Sequence, residues 1–163
     1  MKEFVLDASF ALRWCFEDEA TEGSESVLTL WQNQEGTAWA PCIWPHEVLN
    51  GLGKRVTLGR IEREKAFLFW QEMMELPVRV VEIPVDEKLL ELALKHNLAL
   101  YDASYLSLAL LRSLPIATGD GKPEEAAESA HRDYNDVHDT PAIYPLGRSS
   151  HGRGPNCKGL TQR

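Results

Sequence analysis

Short apolar runs of strand character alternate with longer segments of helical periodicity along most of this chain. The strand-like runs cover residues 3–6, 37–41, 78–83 and 115–118. Apolar residues recur at helical spacing between them, over residues 7–16, 22–34, 45–56, 60–76, 86–96 and 102–112. Strands that alternate with helices in this way predict an α/β fold with a mainly parallel central sheet.

Local signals mark the ends of several predicted helices. Asp7 and Asp86 have the side-chain chemistry of N-cap residues. Pro45 suits the first turn of a helix, and Asn97 suits a helix end. Asp102 is predicted to begin the last long helix.

Length and polarity divide the chain into two parts. The chain has 163 residues, of which 44% are hydrophobic, and we predict one compact domain at residues 1–130. Residues 131–163 are polar, and we expect them to form a flexible C-terminal tail. Asp102 and Arg112 interrupt the longest apolar stretches, so no membrane-spanning segment is expected. An acid as early as Asp7 argues against a signal peptide, and the expected location is cytoplasmic.

The chain is acidic, with 17 Lys and Arg against 25 Asp and Glu and a formal charge of −8. The acidity belongs to residues 1–130, which carry −10, whereas residues 131–163 carry +2. An acidic body repels nucleic acid at long range. Because a bound metal ion can mediate the contact with a phosphate, the charge alone does not exclude a nucleic-acid substrate.

Four acidic residues stand where predicted strands end or predicted helices begin. Asp7 and Asp120 follow strands, and Glu47 and Asp102 lie in first helical turns. Each of them alone also has a structural explanation as a helix cap, a dipole partner or a turn residue. If the fold brings them together, their mutual repulsion favours binding of a divalent cation, and oxygen-only ligands select Mg²⁺ or Mn²⁺. Such a site suits hydrolysis of a phosphodiester by an activated water.

The sequence around these acids resembles that of a known enzyme family. Four blocks carry the resemblance, which are Val5-Leu6-Asp7-Ala8-Ser9, Pro45-His46-Glu47-Val48-Leu49-Asn50-Gly51-Leu52, Tyr101-Asp102-Ala103-Ser104-Tyr105-Leu106-Ser107-Leu108-Ala109 and Ala117-Thr118-Gly119-Asp120. In order and spacing they are similar to the blocks of PIN-domain nucleases. Within these nucleases the chain most resembles the VapC-type ribonuclease toxins of toxin–antitoxin pairs.

The resemblance implies a PIN-like three-layer α/β/α fold with a mainly parallel sheet. It also implies that four catalytic acids hold Mg²⁺, namely Asp7, Glu47, Asp102 and Asp120. Mn²⁺ is expected to substitute for Mg²⁺. Ser9 and Thr118 would support this site by hydrogen bonds. The implied activity is endonucleolytic cleavage of RNA. The implied partners are a second copy in a homodimer and an inhibitory VapB-like antitoxin.

An RNA substrate also needs cations beside the acidic site. The candidates for RNA contacts are Arg13, Lys54, Arg55 and Arg60. The last three belong to a cationic segment that begins one or two helical turns after Glu47, and the alternative is a solvated helix surface. Most of the five tryptophans are expected in the core, but Trp14 and Trp31 would offer the antitoxin a docking groove if they are exposed.

Two other functions stay open from the sequence. The first is a PIN-fold binding module whose catalytic site is degenerate, which weak or absent Mn²⁺ binding would indicate. The second is a metal-dependent phosphatase-like enzyme on a similar sheet. The chain lacks the DxDxT nucleophile motif of that second class.

Overall fold

The computed structural model describes residues 2–16, 19 and 22–119, and within them a four-stranded parallel sheet forms the centre of the fold. The order of its strands is β3-β2-β1-β4, with bounds of β1 (Lys2–Leu6), β2 (Gly36–Pro41), β3 (Val78–Val81) and β4 (Ile116–Ala117). The predicted α/β class with a mainly parallel sheet is confirmed. Asp120 and the predicted tail at residues 131–163 lie outside the described residues.

Helices cover both faces of this sheet. In the described part of the chain they are α1 (Ala8–Leu12), α2 (Glu22–Gln32), α3 (Trp44–Thr57), α4 (Arg63–Met74), α5 (Glu87–His96) and α6 (Leu100–Arg112). Helix α1 packs on α3, and α3 packs on α4, whereas α5 packs on α6 and α6 contacts β1, β2 and β4. Because crossovers between parallel strands are right-handed, and the chain reverses direction across the sheet after β3, these two groups lie on opposite faces.

Several of the predicted helix ends agree with the structure, and others differ. The Asp7 carboxylate caps α1 by accepting from the Ser9 N–H, and the Asp86 carboxylate caps α5 by accepting from Leu89. Asn97 ends α5 in the left-handed region, with φ of 51°. Asp102 does not begin its helix, because Ala99 is the N-cap of α6 and Asp102 lies in the first turn. There its negative charge still complements the helix dipole.

The first predicted helix is too long, because α1 ends at Leu12 and the chain continues as a 3₁₀ turn over Arg13–Cys15. This turn carries Trp14 into the core. The Trp14 indole N–H donates to the Ser24 carbonyl of α2 at 2.9 Å. The contact comes from another element, so the local helical pattern of the sequence does not report it.

The tryptophan prediction needs a correction. Trp14 and Trp31 are only 6% and 8% exposed, and their rings meet edge to face at 5.2 Å between centroids. They belong to the hydrophobic core together with Phe4 and Phe10. The expected antitoxin groove at Trp14 and Trp31 is therefore not formed. None of the helices among the described residues is long and apolar enough to cross a membrane.

The strand order changes direction at β1. The chain travels outward from β1 through β2 to β3 and then returns to the other side of β1 as β4. The connection that leaves β1 and the connection that arrives at β4 therefore run over opposite faces of the sheet. Ligands of open α/β sheets bind at such a switch point. Asp7 follows β1 at this place, and its N–H donates to the Ala117 carbonyl at 2.9 Å.

Candidate functional site

Asp7 is a buried carboxylate at the carboxyl end of β1. It is 6% exposed and accepts hydrogen bonds from the Ser9 N–H at 3.1 Å, from Ser9 Oγ at 3.0 Å and from Thr118 Oγ1. Such donors offset the cost of removing a charged carboxylate from water. Ser9 and Thr118, which the resemblance assigned to support of the site, thus both contact Asp7.

Gly119 connects the end of β4 to the same cluster. Its N–H donates to Ser9 Oγ at 2.9 Å, and its carbonyl accepts from Arg13 Nη2 at 2.8 Å. A Cβ at Gly119 would lie 2.9 Å from Arg13 Nε and 3.1 Å from Ser9 Oγ. The absence of a side chain at Gly119 therefore allows both neighbours to approach. Arg13 is therefore held against the backbone of Gly119, the residue that directly precedes Asp120 in the sequence.

Glu47 reaches the site from the first turn of α3. The Tyr105 hydroxyl of α6 donates to Glu47 Oε2. Burial raises the pKa of Tyr105 above its ordinary value, and the charges of Asp7 and Glu47 raise it further, while a backbone hydrogen bond with Ala8 acts in the opposite sense. The hydroxyl therefore stays protonated and donates. Glu47 thus contacts the Tyr105 hydroxyl directly, and the charge of Asp7 acts on the same hydroxyl through space.

Asp102 lies on the same helix as Tyr105, one turn earlier. Residues three positions apart on a helix are neighbours on its surface. The Asp102 side chain is half-buried in the first turn of α6. Helix α6 therefore supplies an acid and a hydroxyl from adjacent turns, and the hydroxyl is the group that contacts Glu47.

The donor chemistry of these acids fits a hard divalent cation. Asp7, Glu47 and Asp102 offer only carboxylate oxygens, which are the ligands that Mg²⁺ and Mn²⁺ prefer. Over residues 2–16, 19 and 22–119, no group of three or more His, Cys, Asp or Glu side chains is arranged so that it could hold a metal ion. The fourth acid, Asp120, lies outside the described residues. The three described acids therefore match the cation in the chemistry of their donor atoms, and a set of three ligands is not assembled among the described residues.

The candidate cations for RNA have different environments. Arg55 Nη2 and Arg60 Nη1 bind the Glu19 carboxylate at 2.9 and 2.7 Å. Both guanidinium groups also lie over the Phe16 ring, 4.9 and 5.0 Å from its centroid. Burial acts to raise the pKa of Glu19, but hydrogen bonds from Arg55 and Arg60 outweigh it and leave the pKa below its ordinary value. Lys54 is exposed in the last turn of α3.

Tyr105 and Gly119 have roles in the site that were not predicted from the sequence. Tyr105 has an apolar helical position, and its place three residues after Asp102 is the signal that it shares the face of an acid. Gly119 lies between two predicted site residues, Thr118 and Asp120. This position is the signal in the sequence that the backbone of Gly119 belongs to the site. Neither signal gives the partner of the residue, because both partners come from other elements.

Comparisons with known proteins agree with this fold. Residues 4–129 match the family model of the PIN domain. Among solved structures, the crystal structure of PAE2754 from Pyrobaculum aerophilum has a similar fold, with a TM-score of 0.62 and 20% sequence identity over 83% of this chain and 90% of that chain. At this identity the likeness concerns the fold alone. No curated protein matches the chain significantly.

Proposed function

The chain belongs to the PIN domain family, and we propose that it is a metal-dependent endoribonuclease toxin of the VapC type, which hydrolyses RNA phosphodiester bonds. PIN domains are generally metal-dependent nucleases that act on nucleic acids and usually use divalent ions such as Mg²⁺. The observation that carries the proposal is the buried Asp7 carboxylate at the switch point of the sheet. Glu47 lies against the Tyr105 hydroxyl, on which the Asp7 charge also acts.

In this proposal four acids, Asp7, Glu47, Asp102 and Asp120, hold Mg²⁺, and Mn²⁺ substitutes for it. The bound cation supplies positive charge to the phosphate oxygens and makes a nearby water more acidic. Ser9 and Thr118 fix the Asp7 carboxylate, so that it is oriented before RNA binds.

Proton transfer is the task of the chain's own carboxylates. Asp7 or Asp102 accepts a proton from the attacking water, and the water oxygen then attacks phosphorus in line with the leaving oxygen. The position of Asp7 at the carboxyl end of β1, where α/β folds bind ligands, supports this assignment.

The proposal includes two protein partners and a location. By its resemblance to VapC-type toxins the chain forms a homodimer and is inhibited by a VapB-like antitoxin in the cytoplasm. Growth arrest after induction of the chain, relieved both by Asp102→Asn and by co-expression of a small protein from the neighbouring reading frame, would support the toxin role. Unimpaired growth would contradict that role and leave the nuclease activity to be judged by cleavage.

Cleavage of single-stranded RNA in Mg²⁺ tests the activity directly. Asp7→Asn should lower the rate by about 10²–10⁴-fold, because it removes the charge while it keeps an acceptor oxygen for Ser9. Asp86→Asn is the matched control, since Asp86 is also an N-cap but lies on α5, and Asn caps a helix as well as Asp does. Circular dichroism checks that both variants fold. Equal activity of Asp7→Asn and the unmodified chain would refute the proposal.

A further inference from the structure

Tyr105 places a hydroxyl group in the candidate site from the buried side of α6. The side chain is 1% exposed, so bulk water does not compete for the hydroxyl. The hydroxyl donates to Glu47 Oε2 and is also hydrogen-bonded with the backbone of Ala8. It is therefore held between the start of α1, next to Asp7, and the start of α3.

The identity of the acceptor separates this tyrosine from an ordinary core tyrosine. A buried hydroxyl needs one partner, and most side-chain hydrogen bonds go to the backbone or to water. Tyr105 instead donates to a carboxylate on another helix, 58 residues away in the sequence. A glutamate side chain has several rotatable bonds, so a fixed donor on one of its oxygens restricts where the carboxylate points. Donors behind metal-binding carboxylates orient them in this way.

We propose that Tyr105 is a positioning residue, whose hydroxyl holds the Glu47 carboxylate in the orientation in which Glu47 and Asp7 together bind a divalent cation. The inference rests on the proposed function, because it takes Glu47 as a metal ligand. In this role Tyr105 contacts neither the cation nor RNA, and it acts through Glu47.

Mn²⁺ binding to the full chain, measured by isothermal titration, tests the proposal. Tyr105→Phe keeps the buried ring and removes the hydroxyl, and it should weaken Mn²⁺ binding by about 10–100-fold. Tyr101→Phe is the matched control, because Tyr101 lies one turn earlier on α6 and is 58% exposed. It should bind Mn²⁺ as the unmodified chain does. Unchanged Mn²⁺ affinity in Tyr105→Phe would overturn the proposal.

Of two further measurements, the first tests the hydrogen bond itself, and the second separates positioning from a purely structural role. In EDTA, Tyr105→Phe should lower the melting temperature when it is introduced alone. Introduced into a Glu47→Ala chain it should lower the melting temperature less, since the Tyr105 hydroxyl has already lost its acceptor there. In RNA cleavage, Tyr105→Phe should require more Mn²⁺ for half-maximal rate but recover most of the rate at saturating Mn²⁺. A rate that stays low at saturating Mn²⁺ with unchanged Mn²⁺ affinity would contradict positioning.

The same experiments distinguish this inference from the proposed nuclease. If the unmodified chain binds Mn²⁺, and Tyr105→Phe weakens that binding, but RNA is not cleaved, positioning stands and the nuclease proposal fails. If RNA is cleaved and Tyr105→Phe binds Mn²⁺ normally, positioning fails and the nuclease proposal stands. An unmodified chain without Mn²⁺ binding overturns both.

Discussion

Gly119 illustrates, at the scale of one residue, how the backbone takes part in the candidate site. Its N–H and carbonyl hold Ser9 and Arg13, and Ser9 in turn holds Asp7. Arg13 was a candidate for RNA binding, and the structure uses its guanidinium on the Gly119 carbonyl. A side chain at position 119 would therefore disturb the hydrogen bonds of Asp7 through Ser9.

Gly119→Ala should lower RNA cleavage more than it lowers stability. The new Cβ would meet Arg13 Nε at 2.9 Å and Ser9 Oγ at 3.1 Å. Arg13 can move aside, so the free energy of unfolding should fall by only about 1 kcal/mol. The displaced Ser9 should reduce the cleavage rate by about tenfold or more, by analogy with other residues that orient metal ligands.

Gly53→Ala is the control for this substitution. Gly53 lies in α3, and nothing is within 4 Å of a Cβ built there. Alanine should raise the free energy of unfolding by about 1 kcal/mol, because glycine is unfavourable inside a helix. Its cleavage rate should not change. Urea unfolding and initial cleavage rates measure both effects, and a Gly119→Ala chain that behaves like Gly53→Ala would contradict the assigned role.

At the scale of an element, helix α3 has two charged ends with different tasks. Glu47 in its first turn faces the candidate site, and Arg55 in its last turn binds Glu19. Arg60, just after the helix, binds the same Glu19 carboxylate, and Phe16 packs under both guanidinium groups. This arrangement connects Glu19 to the end of α3.

The pH dependence of stability should reveal the ion pairs that Glu19 forms with Arg55 and Arg60. The pKa of Glu19 is lowered in the folded protein, since hydrogen bonds from Arg55 and Arg60 outweigh burial. A lowered pKa means that the carboxylate stabilises the fold above its pKa in the unfolded chain, and that this contribution is lost as the pH falls through the lower folded-state pKa.

Glu19→Gln should therefore cost about 1 kcal/mol at pH 7 and almost nothing well below pH 4. Urea unfolding at both pH values measures the difference. Glu62→Gln is the control, because Glu62 is exposed and lies 4.0 Å from Lys65. It should have little effect at either pH. A Glu19→Gln cost that is equal at both pH values would refute the ion-pair explanation.

Helix ends that depend on nearby residues were predicted from the sequence, and contacts between different helices were not. Caps such as Asp86 and Asn97 act within a few residues, so their patterns located both ends of α5. The early end of α1 depends on Trp14 and Ser24, which meet only in the folded chain. The hydrogen bond between Tyr105 and Glu47 is still less accessible to a local pattern, since it joins α6 to α3.

At the scale of the whole molecule, the strand order decides where the acids meet. The alternation of strands and helices predicted the parallel sheet, and it predicted acids at the carboxyl ends of strands. It did not predict that β4 lies beside β1, which brings Thr118 to Asp7. That pairing depends on β1 being in the interior of the sheet, and this is a property of the assembled fold.

Net charge sets the conditions under which such a molecule binds RNA. The chain carries −8 overall, and Arg55 and Arg60, two of its candidate cations, are paired with Glu19. RNA binding should therefore require a divalent cation, which offsets the acids of the site and bridges them to phosphate. Chelation by EDTA is expected to weaken RNA binding, in addition to stopping cleavage.

Fluorescence anisotropy of a labelled RNA, recorded before cleavage proceeds, measures this dependence. At constant ionic strength the RNA should bind about tenfold or more weakly in EDTA than in Mn²⁺, because long-range repulsion is then not offset at the site. Constant ionic strength is essential, since added salt alone weakens phosphate contacts. The Lys54→Gln variant separates the two sources of positive charge. If affinity is equal with and without Mn²⁺ but falls in Lys54→Gln, the side-chain cations and not the metal recruit RNA.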